Sequence, residues 1–132
     1  MKTRKPRAYV GFTSDDATYV IVMPLKMVNP ESPVYGNRAS EPYLLPPRRD
    51  LANHSATGFA WGYQGSGPAQ LALAILADYL GDDERALALH QVFKSKMIAT
   101  LVPDHSFAIM SHEIDPVLAQ IDIDEHAVTG NG

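Results

Sequence analysis

The feature that most constrains the fold is a continuous apolar segment at residues 68–80. Its sequence, PAQLALAILADYL, is apolar nearly all round and is interrupted only by Gln70 and Asp78. A helix without a polar face must be covered on every side, so we expect this one to lie at the centre of a domain. The side chains that we predict to be fully covered are Leu71, Leu73, Ile75 and Leu76.

A second helix is predicted from Asp82 or Asp83 to about Leu101. Gly81 suits the end of the first helix, because glycine adopts the left-handed conformation without steric cost, and an aspartate suits the start of the next. The apolar stripe expected on this second helix comprises Ala86, Leu89, Phe93 and Met97, with Val92 beside them. Because the connection is so short, the two helices should pack as an antiparallel hairpin.

The N-terminal part of the chain is predicted to form a β-hairpin. Residues 8–13 and 18–23 are rich in β-branched and aromatic side chains, and residues 14–17 form a short polar turn. Further short extended segments are predicted near residues 43–45, at 58–63 and at 106–110, and a last helix at 111–121, starting at Ser111 or Asp115. The predicted fold class is therefore α+β, with a small antiparallel sheet packed on a helical hairpin and a short C-terminal helix. Tyr9, Phe12, Tyr19 and Phe107 are expected to be core aromatics.

The chain divides into a basic flexible arm at residues 1–7, one domain at 8–121 and a flexible tail at 122–132. Six of the ten prolines fall within residues 24–47. Proline removes backbone donors and blocks helix formation, so this stretch is predicted to be an exposed loop that supplies partner contacts. Its aromatic contacts would be Tyr35 and Tyr43.

The amino-acid composition excludes several classes of protein and of functional site. Cysteine is absent, which excludes a disulfide scaffold, a thiol nucleophile and a thiolate metal site. No apolar run approaches the length of a membrane span, and the basic start lacks the apolar stretch of a secretory signal, so we expect no membrane partner and a cytoplasmic location. The arm carries four basic residues on an acidic body, and these would contact nucleic acid if that were the partner: Lys2, Arg4, Lys5 and Arg7.

The strongest local motif is the glycine-rich turn that leads into the apolar segment. Glycines expose backbone N–H groups and a helix N-terminus favours anions, so residues 65–67 form a candidate anion site. A phosphate-binding loop would need lysine and serine or threonine directly afterwards, where Pro68 and Ala69 stand. The alternative is a tight connection in which the glycines permit close packing under Trp61. Gly67 is predicted to be the N-cap of the helix and Pro68 its first residue.

A second polar cluster lies at Asn53, His54 and Ser55. A serine and a histidine can hydrolyse a bond only if they meet in space and a third group orients the base, and adjacency in the sequence does not supply that geometry. The alternative is that all three are turn residues that bond to the local backbone. The other histidines, at positions 90, 105 and 112, show no recognised metal-ligand spacing, so no metal and no cofactor are predicted.

The motifs GFAWGY at residues 58–63 and GSGPAQLA at residues 65–72 resemble a small domain family of unknown function from bacteria and archaea. The resemblance runs from about Tyr9 to Ile114 and is densest at residues 45–101. Residues 24–42 look like an insertion relative to that family. The resemblance implies no catalytic residue, cofactor or substrate, but it implies a setting among the accessory genes of phages, plasmids and genomic islands.

The first hypothesis is therefore a non-enzymatic accessory protein of a mobile genetic element that binds a macromolecular partner, for example to inhibit a host defence system. The second is a small anion-binding module or hydrolase that uses the turn at 65–67 and His54. The third is a nucleic-acid-associated regulator. A protein partner is expected. This partner could be a second copy of the chain, which would form a homodimer. The partner- or anion-binding set comprises Asn53, His54, Ser55, Trp61, Gly65, Ser66, Gly67, Tyr35 and Tyr43.

Overall fold

The structure, a computed structural model, describes residues 6–25 and 41–129, with side chains described as far as residue 125. Seven regular elements follow one another in this part of the chain. They are β1 (Arg7–Ser14), β2 (Ala17–Pro24), β3 (Tyr43–Leu44), α1 (Ser66–Leu80), α2 (Asp83–Lys96), β4 (Phe107–Met110) and α3 (Ser111–Thr129). The predicted α+β class is confirmed, since a four-stranded antiparallel sheet packs against helices that include a helical hairpin.

The sheet has the strand order β3-β2-β1-β4 and is antiparallel throughout. The hairpin between β1 and β2 closes through Asp15 and Asp16, which both have positive φ angles, of 51° and 64°. A two-residue turn of this kind matches the right-handed twist of the flanking strands, and aspartate tolerates the conformation. In the register, Tyr9 of β1 lies opposite Val22 of β2 and opposite Ile109 of β4.

Alternation along the strands separates two faces of the sheet. The inner face carries Tyr9, Val20 and Val22, which are buried against α1. Phe12 and Tyr19 lie on the opposite face, where their rings stack with centroids 5.6 Å apart. The prediction that these two aromatics belong to the core is therefore wrong, because neighbouring residues of a strand point to opposite sides. Tyr9 and Phe107 are buried, as predicted.

Helix α1 is the centre of the molecule. The sheet, α2 and the chain that leads into α1 cover different sides of it, and Leu45 and Trp61 are the large apolar side chains that this leading segment buries. The prediction of full burial is confirmed, since each of the four side chains is 0% exposed: Leu71, Leu73, Ile75 and Leu76. Within the described residues, no helix has both the length and the hydropathy needed to cross a lipid bilayer.

The start of α1 lies two residues earlier than predicted. Gly65 is the N-cap with extended backbone, and the first intrahelical hydrogen bond runs from Ala69 N to Gly65 O at 3.0 Å. Pro68 thus occupies the third helical position rather than the first. The backbone N–H groups of the first turn have no acceptor within a helix, so a proline that lacks one is tolerated there.

Helix α2 ends at Lys96, earlier than predicted, and a single 3₁₀ turn at Ile98–Thr100 follows. The backbone leaves helical geometry at Met97, whose φ is −127°. The buried stripe includes His90, whereas Val92 is 39% exposed, contrary to prediction. The reason is helical spacing, since position 90 shares a face with Ala86 and Phe93.

Helix α3 is longer than predicted at its C-terminal end. The tail predicted to be flexible from residue 122 is helical as far as Thr129. Ile121 is buried, and two ion pairs join this part of α3 to α2, from Arg85 to Asp122 at 3.2 Å and from Lys96 to Asp124 at 3.4 Å. The helix starts at Ser111, whose hydroxyl accepts a hydrogen bond from the backbone of β1, and it contains Pro116.

Two other predicted boundaries change. Residues 58–63 form no strand and instead run as irregular chain over α1. Arg7 is not part of a flexible arm, because it begins β1 and its guanidinium forms an ion pair with Asp78 of α1 at 2.8 Å. Its guanidinium therefore has a partner within the domain. The other three basic residues of the predicted arm, at positions 2, 4 and 5, lie outside the described residues.

Candidate functional site

The loop at residues 47–57 is fastened to α1 by the side chain of Gln70, which is 0% exposed. Gln70 Oε1 accepts hydrogen bonds from the backbone N–H groups of His54 and Ser55, at 2.8 and 3.2 Å. Its Nε2 donates to the carbonyl oxygens of Pro47 and Ala52, at 2.6 and 3.1 Å. A buried amide is costly unless its polar atoms are satisfied, and here one side chain also satisfies four backbone groups of the loop.

Two arginines hold the outer side of the same loop. The guanidinium of Arg48 bonds to Asp50 within the loop and to Asp83 at the start of α2, at distances of 2.9 to 3.2 Å. These bonds raise the pKa of Arg48 and lower that of Asp50. Arg49 donates to the carbonyl oxygens of Ser55 and Ala56. The loop is thus fixed from both sides, which favours a structural role for it.

The His54 side chain contacts α2. His54 Nε2 lies 2.9 Å from His90 Nε2, and His90 Nδ1 lies 2.8 Å from the carbonyl oxygen of Leu87. The carbonyl is only an acceptor, so Nδ1 of His90 carries the proton, and Nε2 of neutral His90 accepts a hydrogen bond from the Nε2–H group of His54. Burial lowers the pKa of His90, and the nearby His54 and Lys94 lower it further.

This geometry separates His54 from its neighbour in the sequence. The hydroxyl of Ser55 lies 3.4 Å from that of Thr57, and its backbone N–H is bound by Gln70. His54 Nε2 points to His90 instead. The Ser55 hydroxyl thus contacts a neighbouring side chain rather than the local backbone, and the base of a hydrolase would have to be directed at it, which His54 is not.

We expect the stability of the protein to fall as the pH decreases below about 6.5, the ordinary pKa of histidine. The lowered pKa of His90 means that the unfolded chain binds more protons than the folded one in this window, so protonation favours unfolding. Protonated His90 also loses the acceptor for His54. The slope of unfolding free energy against pH from 7 to 5 should be flatter in His90→Gln than in the wild type.

The exposed Gln91 on the same helix provides the control for this experiment, because its substitution by alanine removes no titratable group and should leave the slope unchanged. In an NMR titration of its imidazole signals, His90 should show a midpoint below about 6.5, the ordinary pKa of histidine. A midpoint of His90 at or above that value, or equal slopes in all three proteins, would contradict the prediction.

The glycine-rich turn before α1 is closely packed. A Cβ atom on Gly67 would lie 2.6 Å from Ala60 Cβ, and one on Gly62 would lie 2.7 Å from the backbone of Pro103. Gly62 has a φ of 89°, a conformation that residues with a side chain rarely adopt. The glycines therefore meet the packing requirement proposed as the alternative to an anion site, and Ser66 stands exposed between them.

Replacement of Gly62 by alanine should lower the free energy of unfolding by about 2–3 kcal/mol, because the added methyl group meets backbone atoms and the φ angle becomes strained. Gly81 is a matched control, since its φ of 63° is also positive but no atom lies within 4 Å of an added Cβ. Gly81→Ala should cost only about 1 kcal/mol. Urea unfolding of both variants measures the difference, and equal costs would show that close packing at Gly62 is unimportant.

A groove opens beside Trp61 at the end of the sheet that carries the β1–β2 turn. It has a volume of about 270 Å³ and is lined by Thr13, Thr18, Ala60, Trp61, Tyr63, Pro103 and Asp104. Trp61 is fixed in place, because its Nε1 donates to the carbonyl oxygen of His105 at 2.8 Å and its ring meets Phe107 edge-on, with centroids 4.8 Å apart. The Tyr63 side chain, by contrast, is 51% exposed.

The groove is acidic as well as aromatic. Asp104 is exposed in its lining, and among residues 6–25 and 41–125 neither a lysine nor an arginine lines the groove. The β1–β2 turn adds the exposed Asp15 and Asp16, which lie in the sequence between the two lining threonines. Carboxylates beside an aromatic face attract cations, so the chemistry of this groove suits a positively charged group.

Tyr43 occupies a third place, far from the groove. Its hydroxyl donates to Asp78 Oδ2 at 2.5 Å, and the hydroxyl of Tyr9 donates to Asp78 Oδ1 at 2.6 Å. Burial and the bond to Asp78 raise the pKa of Tyr43 to about 12, and the same two causes raise the pKa of Tyr9. With Arg7 as the third donor, Asp78 ties the ends of β1 and β3 to α1.

The structure thus distributes the predicted site residues over separate places. Residues 53–55 belong to the loop held by Gln70, Trp61 lines the groove, residues 65–67 form the packed turn, and Tyr43 contacts Asp78. Tyr35 and the rest of residues 26–40 lie outside the described residues. Sequence reasoning missed the roles of Gln70 and Asp78, although a lone polar residue in an apolar helix is a signal, because such a residue must find partners when buried.

Comparison with known proteins gives one match. Residues 31–120 match a family described as a family of unknown function, DUF6166. Neither the curated proteins nor the solved structures contain a match to the chain. The matched range includes α1, α2 and most of the groove lining, whereas Thr13 and Thr18 precede it. Because the match covers more than half of the sequence, the chain belongs to the DUF6166 family.

Proposed function

We propose that the protein acts by binding a protein partner, that it receives a basic side chain of that partner in the groove beside Trp61, and that it catalyses no reaction. The observation that carries this proposal is the composition of the groove. An exposed aromatic ring, Tyr63, and a carboxylate, Asp104, share one concave surface, and none of the lining residues that the structure describes is cationic.

An arginine side chain fits this chemistry best. A guanidinium stacks on an aromatic ring and bonds to a carboxylate at the same time, because it is planar and its donors lie in that plane. Its methylene stem would pack along Trp61 and Pro103 while its charge faces Asp104. The acidic character of the chain after residue 7 favours the approach of a basic partner surface.

The support for a non-enzymatic role comes from the contacts of the residues considered for hydrolysis. His54 is paired with His90, and the backbone of Ser55 is bound by Gln70. The proposal keeps the setting that the sequence resemblance implies, an accessory gene of a mobile genetic element whose product binds a host protein, such as a component of a defence system.

The proposal can be tested by ¹H–¹⁵N NMR titration with the capped tripeptide Gly-Arg-Gly. We expect shifts in the backbone signals of Thr13, Thr18, Tyr63 and Asp104, with weak affinity for so short a ligand. The same peptide with citrulline in place of arginine keeps the shape but removes the charge, so it should cause no saturable shifts. Inorganic phosphate is the third probe, and saturable shifts at Ser66 and Gly67 would favour the anion-binding alternative instead.

Two variants test the groove directly. Asp104→Asn and Tyr63→Ala should each weaken binding of the arginine peptide about threefold to fivefold, the effect of losing one exposed cation contact. Glu113→Gln removes an exposed carboxylate on α3 and serves as the control, with unchanged binding. Equal affinity for the arginine and citrulline peptides, or equal binding by all variants, would overturn the proposal.

A further inference from the structure

Apart from Ser14, next to the β1–β2 turn, the face of the sheet that points away from α1 is apolar. We call the part of this face beyond Ser14 and its partner Ala17 the outer face, and the register assigns it Ala8, which is buried, and Val10, Phe12, Tyr19, Ile21, Met23, Leu44, Ala108 and Met110. None of these side chains belongs to the hydrophobic core cluster. Tyr19, Met23 and Leu44 are 40%, 42% and 64% exposed. In the part of the chain that the structure describes, all three helices lie on the other side of the sheet.

This composition is unusual for a sheet face in water. An antiparallel sheet with one solvated face normally alternates apolar and polar residues along each strand. Strand β2 does not alternate, since it reads TYVIVM at residues 18–23 and is apolar on both sides. Large contiguous apolar patches are rare on monomers and mark interaction sites. The sequence of β2 is therefore that of a strand covered on both faces.

We propose that a second copy of the chain covers the outer face, so that two sheets pack face to face across a two-fold axis. The argument for a second copy is the charge pattern. The nine side chains include neither an acid nor a base, so the face has no charge that a different partner would have to complement. A neutral apolar face is complementary to itself, as a two-fold interface requires.

The size of the face corresponds to an interface at the lower end of the usual range, because β3 and β4 are short. Four strands spaced about 4.8 Å apart, of which the central two have eight residues at about 3.3 Å each, present a surface roughly 19 Å by 26 Å at its widest. Side chains that project from such an area expose several hundred Å² of accessible surface. One subunit of a stable dimer contributes about 800 Å². Two twisted sheets pack in this way with their strands nearly aligned.

The inference is independent of the groove proposed above. Thr13 and Thr18, which line the groove, alternate to the inner side of the sheet together with Tyr9 and Val20. A dimer formed through the outer faces would leave both grooves accessible. Failure of the arginine peptide to bind would therefore leave the dimer untouched, and a monomeric protein would leave the groove proposal standing.

Sedimentation equilibrium of the full chain tests the proposal. The wild type should show about twice the 14.4 kDa of one chain, and its dissociation constant should change little between about 0.05 and 0.5 M salt, because the interface has no charges to screen. Tyr19→Lys and Met23→Lys each place a charge on the outer face. They should raise the dissociation constant about 100-fold or more, since dimerisation would bury an unpaired ammonium group.

Val92→Lys is the matched control, because Val92 is as exposed as Tyr19 but lies on α2, and this variant should dimerise like the wild type. Circular dichroism checks that all variants are folded. A second measurement locates the interface without substitutions: isotope-filtered NOE spectra of mixed labelled and unlabelled chains should show contacts among the methyl groups of Val10, Ile21 and Met110. A monomer at all concentrations, as expected if another part of the chain or a different protein covers the face, would overturn the proposal, as would a dimer without these contacts.

Discussion

Replacement of Gln70 by alanine is expected to lower the free energy of unfolding by about 3–5 kcal/mol, because four backbone groups of the 47–57 loop lose their partner and each buried unsatisfied group costs about 1–3 kcal/mol. The estimate lies below the sum of the four, since a loosened loop admits water. Gln70→Met isolates the polar contribution, because it keeps most of the side-chain volume and removes both polar atoms. It should destabilise the protein nearly as much as alanine does.

Gln120 provides the control for this experiment. It lies exposed on α3, where its Nε2 donates to Asp124 within the same helix. Gln120→Ala should change the unfolding free energy by less than about 0.5 kcal/mol. Urea unfolding measures all three variants, and hydrogen exchange adds a local test, since the amides of His54 and Ser55 should lose protection in Gln70→Met. If that variant is as stable as the wild type, the loop is not held by Gln70.

Truncation of the central helix should have a comparable effect. Ile75→Ala and Leu76→Ala are each expected to cost about 2–5 kcal/mol, because buried methylene groups are lost and a cavity remains. Both side chains are 0% exposed and belong to the core cluster. Domains of this size are typically stable by about 5–15 kcal/mol, so either change removes a large part of the total.

Leu87→Ala is the matched control, because Leu87 lies on α2 and is 37% exposed. It should cost less than about 1 kcal/mol. Thermal or urea unfolding compares the three variants under one condition. A cost at Ile75 and Leu76 no larger than that at Leu87 would mean that the centre of the domain repacks freely, which would contradict its assignment as the rigid core.

The hydrogen-bond partners of the polar residues could not be predicted from the sequence. Gln70 and Asp78 were recognised only as interruptions of an apolar helix, yet one fastens a loop and the other joins three donors from β1 and β3. The contact between His54 and His90 joins residues 36 positions apart. Local patterns carry no information on such pairings, because the partner is chosen by how the chain folds back on itself.

The groove beside Trp61 could not be predicted from the sequence either. Trp61 is among the candidate binding residues predicted from the sequence, whereas the carboxylate beside it, Asp104, is not. The two residues meet because the chain returns to the end of the sheet after α2, where Pro103 packs against Gly62. Concave surfaces form where distant segments meet, so no window of the sequence contains them.

The sequence alone determined the hairpin of α1 and α2, the burial of α1 and the pairing of β1 with β2, because hydrophobic periodicity and turn residues act within a few positions of the chain. Only the tertiary structure decided that Phe12 and Tyr19 point away from the core, that α3 continues to Thr129 against α2, and which groups satisfy Gln70 and Asp78. These outcomes depend on strand register and on contacts between elements, and neither is a property of any short segment.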